Sequence, residues 1–196
     1  MIDDRAAPRI EAEVPNNVNL SSLDSNSCNA KPFDDIGLVD AKPGLIGTFV
    51  YSIKLETTRA PQFIDITERV QKYIVESGVS NGLVVIYSKH TTAAIKINEN
   101  EPLLIEDMEH FLERISPRNN TYRHNDFTVR TVNMNEDECP NGHSHCQHLL
   151  LGTSETIPIL GGSMIFGQWQ SVFLIELDHP REREVIVQVI GLPSDN

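Results

Sequence analysis

The densest chemistry in this 196-residue chain lies in "ECPNGHSHCQHLL", residues 138–150. Three of the chain's seven histidines and two of its three cysteines fall there, so a metal site is the first reading to weigh. A structural zinc knuckle presents two separated ligand pairs with regular spacing. The order Cys139, His143, His145, Cys146, His148 fits no such template, and no second cysteine pair completes one. On an extended segment, His143 and His145 point to one side, as two metal ligands require. A helix starting near Ser144 puts His145 and His148 on one face instead. Two histidines from this stretch, a third such as His90 and an open position would describe a catalytic metal centre.

Other segments add candidates. "YSKHTTAAI" ends a buried strand at His90, followed by the hydroxyls of Thr91 and Thr92. A histidine there suits ligation, acid–base work or phosphate donation; the plainer alternative is a strand-end hydrogen bond to a loop carbonyl. "NENEP", residues 98–102, offers carboxylates for a cation such as Mg²⁺, or simply a helix cap. "YRHND" carries Arg123, whose planar fork suits phosphate, and His124, which could join a metal site. Trp169 could stack on a planar ring or fill the core at a strand end. Glu176 shares a strand face with Val172 and Leu174, where a carboxylate is costly unless paired or metal-bound. Asp178, Arg181 and Arg183 follow, so a salt-bridge network is the simple reading of that run.

These residues need elements to hold them. Residues 1–42 are dense in Asn, Ser and Asp without periodicity and read as a disordered or loosely packed tail; 43–196 read as one domain. "TFVYSIKL" alternates as a half-buried strand. "DITERVQKYIVESG" reads as a helix with an Asp65/Glu68 capping box and a stop at Gly78. "GLVVIYS" reads as a strand buried on both faces. "NEPLLIEDMEHFLERI" reads as a second helix with Pro102 in its first turn and Leu104, Met108, Phe111, Leu112 and Ile115 as its stripe. Residues 116–142 form a long irregular connection. The final third reads as four strands in an antiparallel meander. The class is α+β: antiparallel, sandwich-like sheets with two main helices.

Composition narrows the partners. A net charge of −12 disfavours nucleic acid or an anionic membrane, so a phosphorylated ligand needs a local cluster of bases or a metal. The first residues lack the basic and apolar regions of a secretory signal. Three cysteines form no disulfide framework, which points to a reducing, cytoplasmic setting.

"SKHTTAAIKINENEP", "YRHND", "NGHSHCQHLLLGTSETIPI" and "GQWQSVFLIELDHPRERE" stand in the order and spacing of the YjbQ family, which the chain resembles over about residues 45–192. That family also carries the label secondary thiamine-phosphate synthase. The resemblance implies a sandwich-like α+β fold and a homotrimer with sites near subunit boundaries. His90, His143 and His145 match the family's histidines, with His124 as a further match; Gly152, Trp169, Gln170, Glu176 and Asp178 also match. Family members usually carry a small or polar residue at His148 and an apolar one at Cys146, which makes those two accessory here.

The expectation is a metal-dependent enzyme acting on a phosphorylated small molecule. The reaction implied by the resemblance joins a pyrimidine methyl pyrophosphate to a thiazole phosphate, releasing pyrophosphate. His90, His143 and His145 are expected to bind a divalent metal (Mg or Zn). Glu176, His90 and His124 are expected to serve catalysis, and Thr91, Thr92, Arg123, Trp169 and Gln170 to bind substrate. Hydrolysis at the same site and a non-enzymatic trimeric binding protein are the alternatives.

Overall fold

The computed structural model describes residues 46–193; the expected tail lies outside the described residues. Eight strands and three helices follow in the order β1 (Gly47–Glu56), β2 (Gln62–Asp65), α1 (Thr67–Ser77), β3 (Val79–Ser88), β4 (Ala93–Glu99), α2 (Pro102–Ile115), α3 (Gly142–Leu151), β5 (Ser154–Leu160), β6 (Ser163–Met164), β7 (Gln170–Glu176) and β8 (Glu182–Pro193). Every strand pairing is antiparallel. One sheet has the order β1-β8-β3-β5-β6 and the other β2-β7-β4, giving the expected α+β architecture.

Strand β7 explains the layering. Val172 and Leu174 on one face join a core with Ile95, Val84, Ile86, Val185, Val187 and Val189 between the two sheets. Phe173 and Ile175 on the other face join Ala94, Leu112 and Leu177, with Ile105 and Leu151 packed against them. A strand apolar on both faces must be covered on both sides. The five-stranded sheet covers one side and α2 and α3 cover the other. This corrects the expected meander. Only β5 and β6 form a local hairpin; β7 crosses to the small sheet, and β8 returns between β1 and β3.

Three local expectations also change, while the stop of α1 at Gly78 holds. Asp65 Oδ1 accepts from the Thr67 N–H at 2.8 Å, but the N-cap residue is Ile66, so the capping box is one-sided. Gly78 ends α1 at φ 70°, in the left-handed region that favours glycine. Strand β3 alternates rather than being buried on both faces, because the outer face of its sheet is bare; Leu83 and Tyr87 are exposed. In α2, Leu112 is buried while Phe111 and Ile115 face solvent, since the helix docks through Ile105 and Leu112. Within 116–142 the chain forms only a 3₁₀ turn, Arg123–Asn125, before α3.

Candidate active-site cavity

A cavity of about 690 Å³ opens where three connections meet: the β3–β4 turn, the 123–141 loop and the β7–β8 turn. Its walls include Lys89, His90, Thr91, Thr92, His124, Arg130, Asp137, Glu138, His145, His179, Arg181 and Arg183. Four permanent cations therefore face two carboxylates, inside a chain of net charge −12. One of those carboxylates, Glu138, is already paired with Arg130 at 2.9 Å, and that contact holds it below the usual carboxylate range.

The β3–β4 turn is tight because Ser88 Oγ donates to Ala93 O at 2.7 Å and accepts from the His90 N–H at 3.4 Å. This turn delivers Lys89 to Thr92 as one block. His90 Nε2 accepts from the Glu184 backbone N–H at 3.0 Å, so in the neutral ring the proton sits on Nδ1. Burial and the nearby Arg183 charge lower its pKa and keep it neutral. Because Nε2 is already engaged, His90 does not offer that nitrogen to a metal.

Helix α3 separates the two histidines that the sequence pairs. At roughly 100° per residue, positions i and i+2 lie on opposite sides of a helix. His145 faces the cavity, with its ring 4.7 Å from that of His124. His143 is 1% exposed and packs toward Tyr122 and α2, and its carbonyl accepts from Ser116 Oγ at 3.0 Å. Among the described residues neither ring nitrogen of His143 makes a well-formed hydrogen bond, the Leu177 backbone being only a weak contact, and burial lowers its pKa. The approach of α3 to the 3₁₀ turn requires Gly142: a Cβ there would stand 2.5 Å from Tyr122 Cβ.

The expected metal set of His90, His143 and His145 is therefore not assembled. Among the described residues, no group of three or more His, Cys, Asp or Glu side chains is arranged to hold an ion. The pair that does come together is His124 and His145, and His124 Nε2 is buried without a partner. Two imidazoles fit a zinc-type ion better than Mg²⁺, which prefers oxygen ligands. The acidic 98–101 segment serves as a cap: Glu101 accepts from the Leu103 and Leu104 N–H groups at 3.0 and 2.7 Å.

Glu176 is 0% exposed and fully engaged. Its Oε1 accepts from the Leu177 and Asp178 N–H groups and from Arg183 Nη2 at 2.5 Å. Its Oε2 accepts from Arg183 Nε at 2.6 Å and from Thr57 Oγ1 at 3.0 Å. A carboxylate with five donors and no solvent is not placed for acid–base work, which corrects the catalytic role expected of it. Asp178 accepts from Arg181 Nη2 at 2.9 Å and from Asn141 Nδ2 at 3.3 Å, linking the start of α3 to the β7–β8 turn.

The substrate-binding candidates divide. Thr91 and Thr92 line the cavity. Arg123 lines a smaller neighbouring hollow with His124 and Val129. Trp169 is 64% exposed at the far end of β7, and Gln170 Oε1 accepts from the Gly167 N–H; neither lines the cavity. Sequence reasoning missed Arg130, Asn141 and His179 as wall residues, and it read Arg183 only as part of a salt-bridge network. For Arg183 a signal existed: it shares alternation parity with Val185, Val187 and Val189, the buried face of β8. Arg130 sits in an aperiodic loop and gave none.

Comparison with known proteins gives the family. The UPF0047 protein YjbQ-like family model matches residues 51–192. The chain belongs to the YjbQ-like family. A UPF0047 protein of Methanothermobacter thermautotrophicus is 41% identical over 145 residues, which is 74% of this chain and 94% of that protein. YugU of Bacillus subtilis is 30% identical and covers 71% of this chain and 98% of its own length. Among solved structures, a YbjQ-like protein of unknown function from Sulfolobus solfataricus P2 aligns with a TM-score of 0.67 and 31% identity. That alignment spans 75% of this chain and 99% of the other. The YjbQ-like region thus takes in every residue of the cavity wall.

Proposed function

We propose that this YjbQ-like protein is an enzyme that acts on phosphorylated small molecules, with thiamine-phosphate synthesis as its reaction. One observation carries the reading: an acidic chain gathers Lys89, Arg130, Arg181 and Arg183 with four histidines around one cavity. In the proposed reaction, the bond between the pyrimidine methylene and the pyrophosphate oxygen breaks and the thiazole nitrogen takes the methylene. Negative charge then collects on the departing pyrophosphate, where preorganised cations are worth most. Lys89, Arg130 and Arg181 would meet that charge. Thr91 and the His90 Nδ1–H would donate to it. A divalent ion, which neutralises phosphate charge when bound, would be held by His124 and His145.

The reading extends to assembly and setting. The outer face of the five-stranded sheet carries Leu83, Val85 and Tyr87 beside Ile186 and Ile190, a largely apolar surface interrupted by Gln188. We assign this face to contacts between copies in a homotrimer. Free thiols at Cys139 and Cys146 suit a cytoplasmic protein. No helix among the described residues is long and apolar enough to cross a membrane.

The test is turnover by the purified full chain, given the pyrimidine pyrophosphate and the thiazole phosphate with zinc or magnesium, scored as thiamine phosphate formed. The expected result is metal-stimulated turnover that His145→Ala reduces by about 10²-fold or more, with the melting temperature retained. Absence of product under all metals, or full activity in His145→Ala, would sink the reading. In light scattering, wild type should have about three times the chain's 22.0 kDa mass and Leu83→Asp about one chain's mass. A monomeric wild type would overturn the trimer.

A further inference from the structure

We propose that Arg183 is the fixed anion receptor of the cavity, and that Glu176 is a positioning residue whose task is to aim it. The inference rests on the reading of the cavity as a phosphate-ester site and assigns its principal contact to a residue outside the motifs' expected substrate-binding set.

Arg183 is 2% exposed yet forms part of the cavity wall. Its Nε and Nη2 are both spent on Glu176, at 2.6 and 2.5 Å. Nη2 also donates to Thr92 Oγ1 at 3.0 Å. Among the described residues no acceptor meets Nη1, and it belongs to a side chain held by Glu176 and Thr92. A planar fork held on one edge presents its remaining N–H groups in a set direction, which a free surface arginine does not do.

The neighbours repeat the pattern. Lys89 Nζ lies 2.5 Å from Glu184 Oε2, and Arg181 Nη2 lies 2.9 Å from Asp178 Oδ2. All three cations line the cavity, whereas Glu176, Asp178 and Glu184 do not. In these three pairs the carboxylates stand behind and the cations in front, so this side of the wall shows positive charge although the pairs sum to zero. A layer of this kind orients and holds its cations while a ligand enters, and requires no reorganisation when the ligand arrives. The ligand class it fits is a tetrahedral phosphoryl dianion, met by Arg183 in the centre with Arg181 and Lys89 at the sides. Glu176 touches no ligand in this scheme; it acts through Arg183.

Titration calorimetry of the full chain with inorganic phosphate at low salt tests this. Wild type should bind, and Arg183→Lys, which keeps the charge but loses the fork, should weaken binding about tenfold. Glu176→Gln offers one acceptor oxygen and one amide donor to the guanidinium, so it should weaken binding to a similar degree with Arg183 intact. The double variant should then bind about as weakly as Arg183→Lys alone, because both changes act on one contact. A merely structural Glu176 would give additive losses, and that result overturns the proposal. So does a wild type that binds no phosphate, or unchanged affinity in Arg183→Lys. If the two charged-pair variants do not fold, Thr57→Val loosens two of the tethers from outside the cavity, since Thr57 Oγ1 donates to Glu176 Oε2 at 3.0 Å and accepts from the Arg181 N–H at 2.9 Å. It should weaken phosphate binding severalfold; no change overturns the proposal.

Thiamine-phosphate formation is scored separately. Phosphate binding through Arg183 without turnover overturns the reaction and leaves the receptor standing. Turnover in a protein whose phosphate affinity ignores Arg183→Lys overturns the receptor alone.

Discussion

Strand β7 has two very different ends. At its C-terminal end Glu176 is sealed from solvent and holds five donors, and the turn beyond it lines the cavity. At its N-terminal end Trp169 stands 64% exposed and Gln170 closes only a local turn with Gly167. Both ends belong to one sequence motif, yet within a single chain only one end reaches the cavity. The difference teaches that membership in a motif and membership in a site are separate facts, and that burial of a charge is the better guide to the second.

Three experiments sharpen or break this contrast. The largest effect belongs to Glu176→Ala, which strands a buried guanidinium. Urea unfolding should show a loss of about 3–5 kcal/mol. A loss below about 1 kcal/mol would mean that Arg183 reaches water on its own and that the end is not sealed.

The middle effect is a pH dependence. His90, His143, His145 and His148 all have pKa values lowered by burial, the largest cause in each case. The folded state therefore binds fewer protons than the unfolded chain just below the ordinary value of 6.5. Stability from these groups is complete above that value and is lost as pH falls below it toward the lowered folded values. Melting temperature should fall between about pH 7 and pH 5, and His143→Gln should flatten the fall most, because that ring is the most enclosed. An unaltered slope in His143→Gln would remove His143 from this role.

The smallest effect is expected from Trp169→Ala, within about 0.5 kcal/mol in the same urea assay. A cost rivalling that of Glu176→Ala would abolish the contrast between the two ends.

Much of the fold was legible. The alternation of Phe49, Tyr51 and Ile53 and the stripe of Val70 and Ile74 reported elements that formed as read. The route of β7 was not legible as a meander departure, although its run of apolar residues on both faces signalled two-sided cover. Short turns between strands record local connection lengths, whereas sheet membership is set by which faces need burial. At the site, His90, Thr91, Thr92, His124 and His145 are brought together, as their residue types suggested. The separation of His143 from His145 hinged on one local question, strand or helix, and a stretch rich in His, Ser and Cys has weak preference for either. The polar 127–139 wall carried no period at all and could be located only through its contacts.

That wall has a consequence of its own. From Phe127 to Cys139 the chain has no ladder or helix, and Arg130 ties the segment to itself, donating to Asn133 O at 2.5 Å and bonding Glu138. A segment braced from within can lift as a unit without disturbing the sheets, at a cost set by a few polar contacts rather than by the stability of the whole domain. The cavity thus has a stiff floor and a hinged shutter. Amide exchange in the shutter should outrun that of β7 by orders of magnitude, and salt should quicken traffic through it while leaving the melting of the sheets almost untouched.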